Sequence, residues 1–227
     1  MRVDFTEFFK LIMVEFGTVP MFGVVMITAV SVFSSVVAVL VLDQSNVPSA
    51  LQALCAVLVA VGWVVTIYAL SMMMIASPAS LLSFIKYLAA AIAALIPFGA
   101  AIGLMFLAGA LGWAILMAIA MATLLVLFFG ASLLSGWPIL QATSTKLIGP
   151  VAALKLTRGF RWPLVMAGMA LGGLNRLVPS PSESDSFAAV SVLSGAGAIV
   201  SAFTGMFAVS ISVAAWRLML ANQGAKD

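Results

Sequence analysis

Lys155, Arg158 and Arg161 place three cationic side chains within seven positions of one another, in the stretch KLTRGFRWPL at residues 155–164, and Lys146 lies a few residues upstream. The chain is 64 % hydrophobic and only 7 % charged, so such a cluster needs a physical reason. Two readings are open. The four cations could form a basic pocket for a phospholipid headgroup or a phosphorylated lipid, each contributing on the order of 1 kcal/mol near an anionic leaflet. Alternatively they anchor the chain topologically, because Lys and Arg collect at the cytoplasmic ends of membrane helices. Arg217, beside Trp216, reads as an interfacial stop at the end of the last helix. Lys86 follows Ser77 by nine residues, about 13 Å along a helix. It either snorkels to the interface or faces the bundle interior.

Other chemistry finds little support. ATSTK, residues 142–146, brings Ser144 near Lys146 in sequence, but a serine nucleophile needs a base within hydrogen-bonding reach and an oxyanion hole. Histidine is absent, which removes the commonest metal ligand and general base. The single Cys55 has no internal partner for a disulfide. The apolar runs contain neither Asp nor Glu, so a carboxylate relay or intramembrane aspartyl protease lacks its key residue. We expect no enzyme activity, no metal and no cofactor. The net charge of +3 is too small to suggest nucleic-acid binding.

The elements that must carry these residues are membrane helices. A mean hydropathy of +1.26 far exceeds that of soluble domains, in which about a quarter of residues are charged. A crossing needs about 20 apolar residues, and six stretches qualify: 17–42, 51–75, 81–107, 112–135, 162–178 and 187–216. The first is followed by others and reads as a retained helix rather than a signal peptide. AGALG, 108–112, divides the third from the fourth. Ser77 and Pro78 read as N-cap and first residue of the third helix, Pro97 should bend it, and VPSPSESDS, 178–186, reads as a solvated loop.

Six crossings put both termini on one side. Of the 10 Lys and Arg, only Arg176 falls on the other, so the positive-inside rule places both termini in the cytoplasm. Trp137, Trp162 and Trp216 at cytoplasmic helix ends and Trp113 at an outer one match an aromatic belt, with Trp63 the exception in mid-helix. Phe5, Phe8, Phe9, Ile12 and Phe16 recur at helical spacing near the N-terminus and predict an interfacial helix. After Pro150, VAALKLTR predicts two helical turns ending at Gly159, with Leu147, Val151 and Leu154 toward the membrane and Lys155 and Arg158 toward the headgroups. Gly99 with Gly103, and Gly168 with Gly172, are GxxxG pairs that should let helix backbones approach closely.

The stretch 136–174 resembles a segment of bacterial polytopic inner-membrane proteins related to the membrane domain fused to some glycerophosphoryl diester phosphodiesterases. Trp137, Ala153, Leu154, Thr157, Gly159 and Trp162 carry the resemblance, with SPASLLSFIKYL at 77–88 and AAWRLML at 214–220. It implies a six-helix, all-α membrane domain in a bacterial inner membrane. It does not imply phosphodiesterase activity, since the catalytic barrel of that family is a separate soluble domain rich in His and Glu. The expected function is that of an accessory or scaffold subunit, or a lipid-interacting component of the envelope. Its expected partners are anionic lipids and another membrane protein or a second copy. A small transporter or flippase is the alternative, with Thr66, Tyr68, Thr123, Ser194, Ser201 and Thr204 as its few mid-depth polar groups.

Overall fold

The computed structural model describes residues 3–39, 48–174 and 187–224. Arg2, Asp43, Arg176, Lys226 and the 178–186 loop lie outside the described residues. The elements among them are all helices: α1 (Phe5–Gly17), α2 (Met21–Val37), α3 (Ser49–Met74), α4 (Leu81–Leu111), α5 (Ala114–Leu133), α6 (Trp137–Thr143), α7 (Pro150–Leu156), α8 (Arg161–Leu174) and α9 (Phe187–Gly224). Four are long and apolar enough to cross a membrane: α3, α4, α5 and the Val192–Gly224 part of α9. Counting α1 and α2, bent by 92°, as one broken span makes five. This is the make-up of a multi-pass membrane protein. Six crossings are not met within the described residues, because α8 reaches only 14 of them where about 20 are needed; the expected end of that crossing, 175–178, is not among them.

The first expected crossing, 17–42, starts later than its apolar run. Gly17 closes α1, the Thr18 hydroxyl donates to the Glu15 carbonyl at 2.7 Å, and Pro20 stands as the N-cap of α2. The chain therefore turns sharply before α2.

The described residues fall into two compact units, 3–9, 79–166 and 214–224 in one, and 10–39, 48–78, 167–174 and 187–213 in the other. In the first, α4 packs on α5 and α6. The α4–α5 hairpin turns where AGALG predicts: Gly112 adopts φ 65°, and the Trp113 amide donates to the Ala108 carbonyl at 3.0 Å. Only a residue without Cβ enters that conformation at little cost. The N-cap of α4 is Ser80, not Ser77. Ser80 and Ser83 exchange hydrogen bonds in a capping box, which fixes the start three residues beyond the expected position. Pro97 lies within an unbroken α4, and its missing N–H leaves the Ala93 carbonyl without a helical donor. Trp137, assigned from the sequence to the aromatic belt, is instead 4 % exposed and clusters with Ala90 and Ala153. Trp113 and Trp162, at 60 % and 77 % exposure, do lie on the surface.

In the second unit α2 packs on α3. The Trp63 indole donates to the Ser34 hydroxyl at 3.0 Å, so the mid-helix tryptophan has an interhelical partner. Gly23 faces Leu70, and a Cβ on Gly205 would lie 2.7 Å from Ile27 and 2.9 Å from Trp63. Phe16 meets Phe203 and Phe207 with ring centroids 5.3 and 5.9 Å apart. Buried Ser31, Ser71 and Ser210 donate to carbonyls of their own helices, those of Ile27, Ile67 and Met206.

Candidate functional site

The cationic cluster is carried by the linker after α6, by α7 and by the corner into α8, and backbone carbonyls decide how that corner is held. A helix leaves its last carbonyls without intrahelical donors. At the end of α6 the Lys86 ammonium, reaching from α4, donates to the Ser144 carbonyl at 3.0 Å. Lys86 thus satisfies a helix C-terminus, where a cation is also favoured by the helix dipole. The linker to α7 is tied down at Ile148, whose carbonyl accepts from the Trp137 indole at 2.7 Å and whose amide donates to Gln141 Oε1 at 2.8 Å.

The end of α7 is satisfied in the same manner from three directions. The Arg161 guanidinium donates to the Leu154 carbonyl at 2.8 Å, and the Asn222 amide group to the Leu156 carbonyl at 2.7 Å. The Val3 backbone amide donates to the Gly159 carbonyl at 3.0 Å. Below the corner Phe8 stacks on Phe160, with centroids 6.0 Å apart. The corner is consequently a fixed platform rather than a loose loop. α7 ends at Leu156 with Thr157 as its C-cap, somewhat before the Gly159 expected.

The two faces of α7 are clearly different. Ala153, Leu156, Thr157 and Phe160 are buried, while Lys155, Arg158, Arg161 and Trp162 are exposed. Leu147 and Val151 are exposed, at 92 % and 65 %, whereas Leu154, expected to face the same way, is half-buried. Arg158 and Arg161 line a common groove of about 820 Å³ together with Asp4, Phe5 and Glu7 from the start of α1. Lys155 lies outside that groove on α7, and Lys146 is exposed in the linker before it.

Asp4 and Glu7 form a capping box on α1. Glu7 N–H donates to Asp4 Oδ1 at 2.8 Å and Asp4 N–H to Glu7 Oε2 at 3.4 Å. No ion pair among the described residues links either acid to Arg158 or Arg161.

Other expected site residues fall elsewhere. Arg217 does not end α9, which continues to Gly224; Arg217 is exposed, and its neighbour Trp216 donates to the Thr143 hydroxyl at 3.2 Å. At the Gly99 and Gly103 positions a Cβ would meet nothing within 4 Å, so the close approach expected there is not made among the described residues. Gly168 is half-buried and Gly172 exposed. The close approach in the first unit occurs instead at Gly136, where a Cβ would lie 2.7 Å from the Trp216 amide nitrogen. Lys146 approaches Ser144 through its backbone amide, 3.2 Å from the hydroxyl oxygen, rather than through its ammonium. Glu15, 1 % exposed, is a buried acid that the sequence pattern did not mark; it continues the buried stripe of Phe8 and Ile12. Among the described residues no three His, Cys, Asp or Glu side chains come close enough to hold a metal ion.

Comparison with known protein families, with curated proteins and with solved structures gives no match. The functional reading therefore rests on the corner itself.

Proposed function

We propose that this chain is a non-enzymatic, six-crossing protein of a bacterial inner membrane with both termini in the cytoplasm, and that the α7–α8 corner is a shelf for lipid headgroups. It would act as an accessory or scaffold subunit, or as a lipid-interacting component of the envelope. One observation carries the reading: Leu147, Val151 and Trp162, 92 %, 65 % and 77 % exposed, share this short segment with the exposed Lys155 and Arg158. Apolar side chains and cations presented together by a rigid platform suit the boundary between acyl chains and phosphates. The uneven spread of Lys and Arg supports the orientation, and the resemblance of 136–174 supports the bacterial setting. A transporter has less behind it. The hydroxyls of Thr123 and Thr204 donate to carbonyls of their own helices, which suits packing at least as well as a polar path.

The test is intact-particle mass spectrometry of protein gently extracted from its native membrane, comparing wild type with the Lys146→Gln/Lys155→Gln/Arg158→Gln variant. Arg161 is left in place because it caps α7. At about 1 kcal/mol per cation, the variant should retain phospholipid roughly 100-fold more weakly. Equal retention would refute the shelf. A stoichiometric protein companion in the same particle would identify the accessory-subunit form of the proposal.

A further inference from the structure

The groove beside α1 contains charges of both signs. Arg158 and Arg161 from the α7–α8 corner and Asp4 and Glu7 from the start of α1 all line it, so two basic and two acidic side chains share one groove. Three of the four are held by local bonds. The acids are committed through one oxygen each to the first turn of α1, and Arg161 is pinned by the Leu154 carbonyl. Each carboxylate keeps a second oxygen, Arg161 keeps further N–H donors, and the Arg158 guanidinium makes no hydrogen bond among the described residues. Phe5, Trp162 and Met166 border the same groove and are 50 %, 77 % and 50 % exposed.

We infer that this groove binds one zwitterionic aminophospholipid, with its phosphate on Arg158 and Arg161, its ammonium on Asp4 and Glu7, and its glycerol and upper acyl carbons against Phe5, Trp162 and Met166. Guanidinium groups match phosphate oxygens in paired hydrogen bonds, and a primary ammonium supplies three donors for the two remaining carboxylate oxygens. An anionic headgroup satisfies the arginines equally but brings no cation to the acids. A choline headgroup brings the charge without an N–H donor. The exposed aromatic and methionine side chains favour a lipid over its soluble headgroup. Groups already fixed in place lose little freedom on binding.

This inference rests on the headgroup-shelf reading and narrows it to a single lipid class at one position. The test titrates the detergent-solubilised full chain with phosphatidylethanolamine, phosphatidylglycerol and phosphatidylcholine of matched acyl chains, and counts bound lipid by intact-particle mass spectrometry. Wild type should bind phosphatidylethanolamine roughly three- to fivefold more tightly than either of the others, the range that exposed charge pairs supply. Asp4→Asn/Glu7→Gln keeps both capping oxygens; it should lose that preference while binding phosphatidylglycerol at least as well as wild type. Arg158→Gln should weaken all three lipids. A wild-type preference for phosphatidylglycerol, or a preference for phosphatidylethanolamine that survives Asp4→Asn/Glu7→Gln, overturns the inference while leaving the shelf intact. Displacement of the lipid by an equal concentration of soluble glycerophosphoethanolamine overturns the lipid assignment. If Arg158→Gln alters the binding of no lipid, the shelf reading itself fails.

Discussion

Gly136→Ala adds a single methyl group at the point where the backbone of α9 passes closest to the turn before α6. Gly136 has φ −83° and ψ −10°, which any residue adopts, so the obstacle is steric alone. The new Cβ would lie 2.7 Å from the Trp216 nitrogen and 3.1 Å from both the Ala215 carbonyl carbon and its Cβ, where ordinary contact begins at 3.4 Å. Two of the three opposing atoms belong to a helix backbone, which cannot rotate away as a side-chain tip can. Relief requires α9 to shift, straining the Trp216–Thr143 hydrogen bond. Overpacking of this kind costs about 1–3 kcal/mol, reduced by up to about 1 kcal/mol because alanine restricts the unfolded chain. For a chain of this size each kcal/mol lowers the melting temperature by about 2–4 °C, so a drop of several degrees is expected. The assay is thermal unfolding of the purified protein in detergent, followed by tryptophan fluorescence, with Gly99→Ala as control. Gly99 meets nothing within 4 Å, and alanine there should be neutral or stabilising by up to about 1 kcal/mol. Equal melting temperatures for the two variants would refute the close approach at Gly136.

Lys86→Met keeps the length of the side chain but removes the donor to Ser144; a loss of about 1.5–3 kcal/mol is expected for a bond to a charged group, measured by the same melting experiment. Ala76→Gly should stabilise by up to about 1 kcal/mol, because Ala76 holds φ 51° after α3, a conformation that penalises Cβ; part of the gain is offset in the unfolded chain. Trp63→Phe deletes the donor to Ser34 and should cost about 0.6–1.7 kcal/mol, the range for bonds between membrane helices, while Ser34→Ala should add little to it in a double-mutant cycle.

Where a feature depends on local chemistry, the sequence reveals it. Gly112 divides the long apolar run because a turn there needs positive φ, and the exposure of Val151 and Lys155 follows from helical spacing after Pro150. What depends on distant partners stays hidden. Ser77, followed by Pro78, reads as the cap in sequence, and only the reciprocal bonds between Ser80 and Ser83 move the start to Ser80. A GxxxG spacing shows that a close approach is possible but not which helix supplies it, so Gly99 and Gly103 stand open while the isolated Gly136 is crowded. Trp137 and Trp162 look alike in sequence; one indole is drawn inward by the Ile148 carbonyl and the other is left on the surface. The roles of Lys86 and Arg161 as donors to helix-end carbonyls arise from chain segments meeting in space. No charge pattern along the chain encodes them.

As a headgroup shelf, the α7–α8 corner is proposed to lie at the headgroup level on the cytoplasmic side. That placement is tested most directly by placing one cysteine at position 155 in a Cys55→Ser background and labelling it with a membrane-impermeant maleimide in sealed vesicles of known sidedness. Rapid labelling from the cytoplasmic face alone is expected; labelling from the opposite face, or none from either until the protein is unfolded, would place the corner elsewhere.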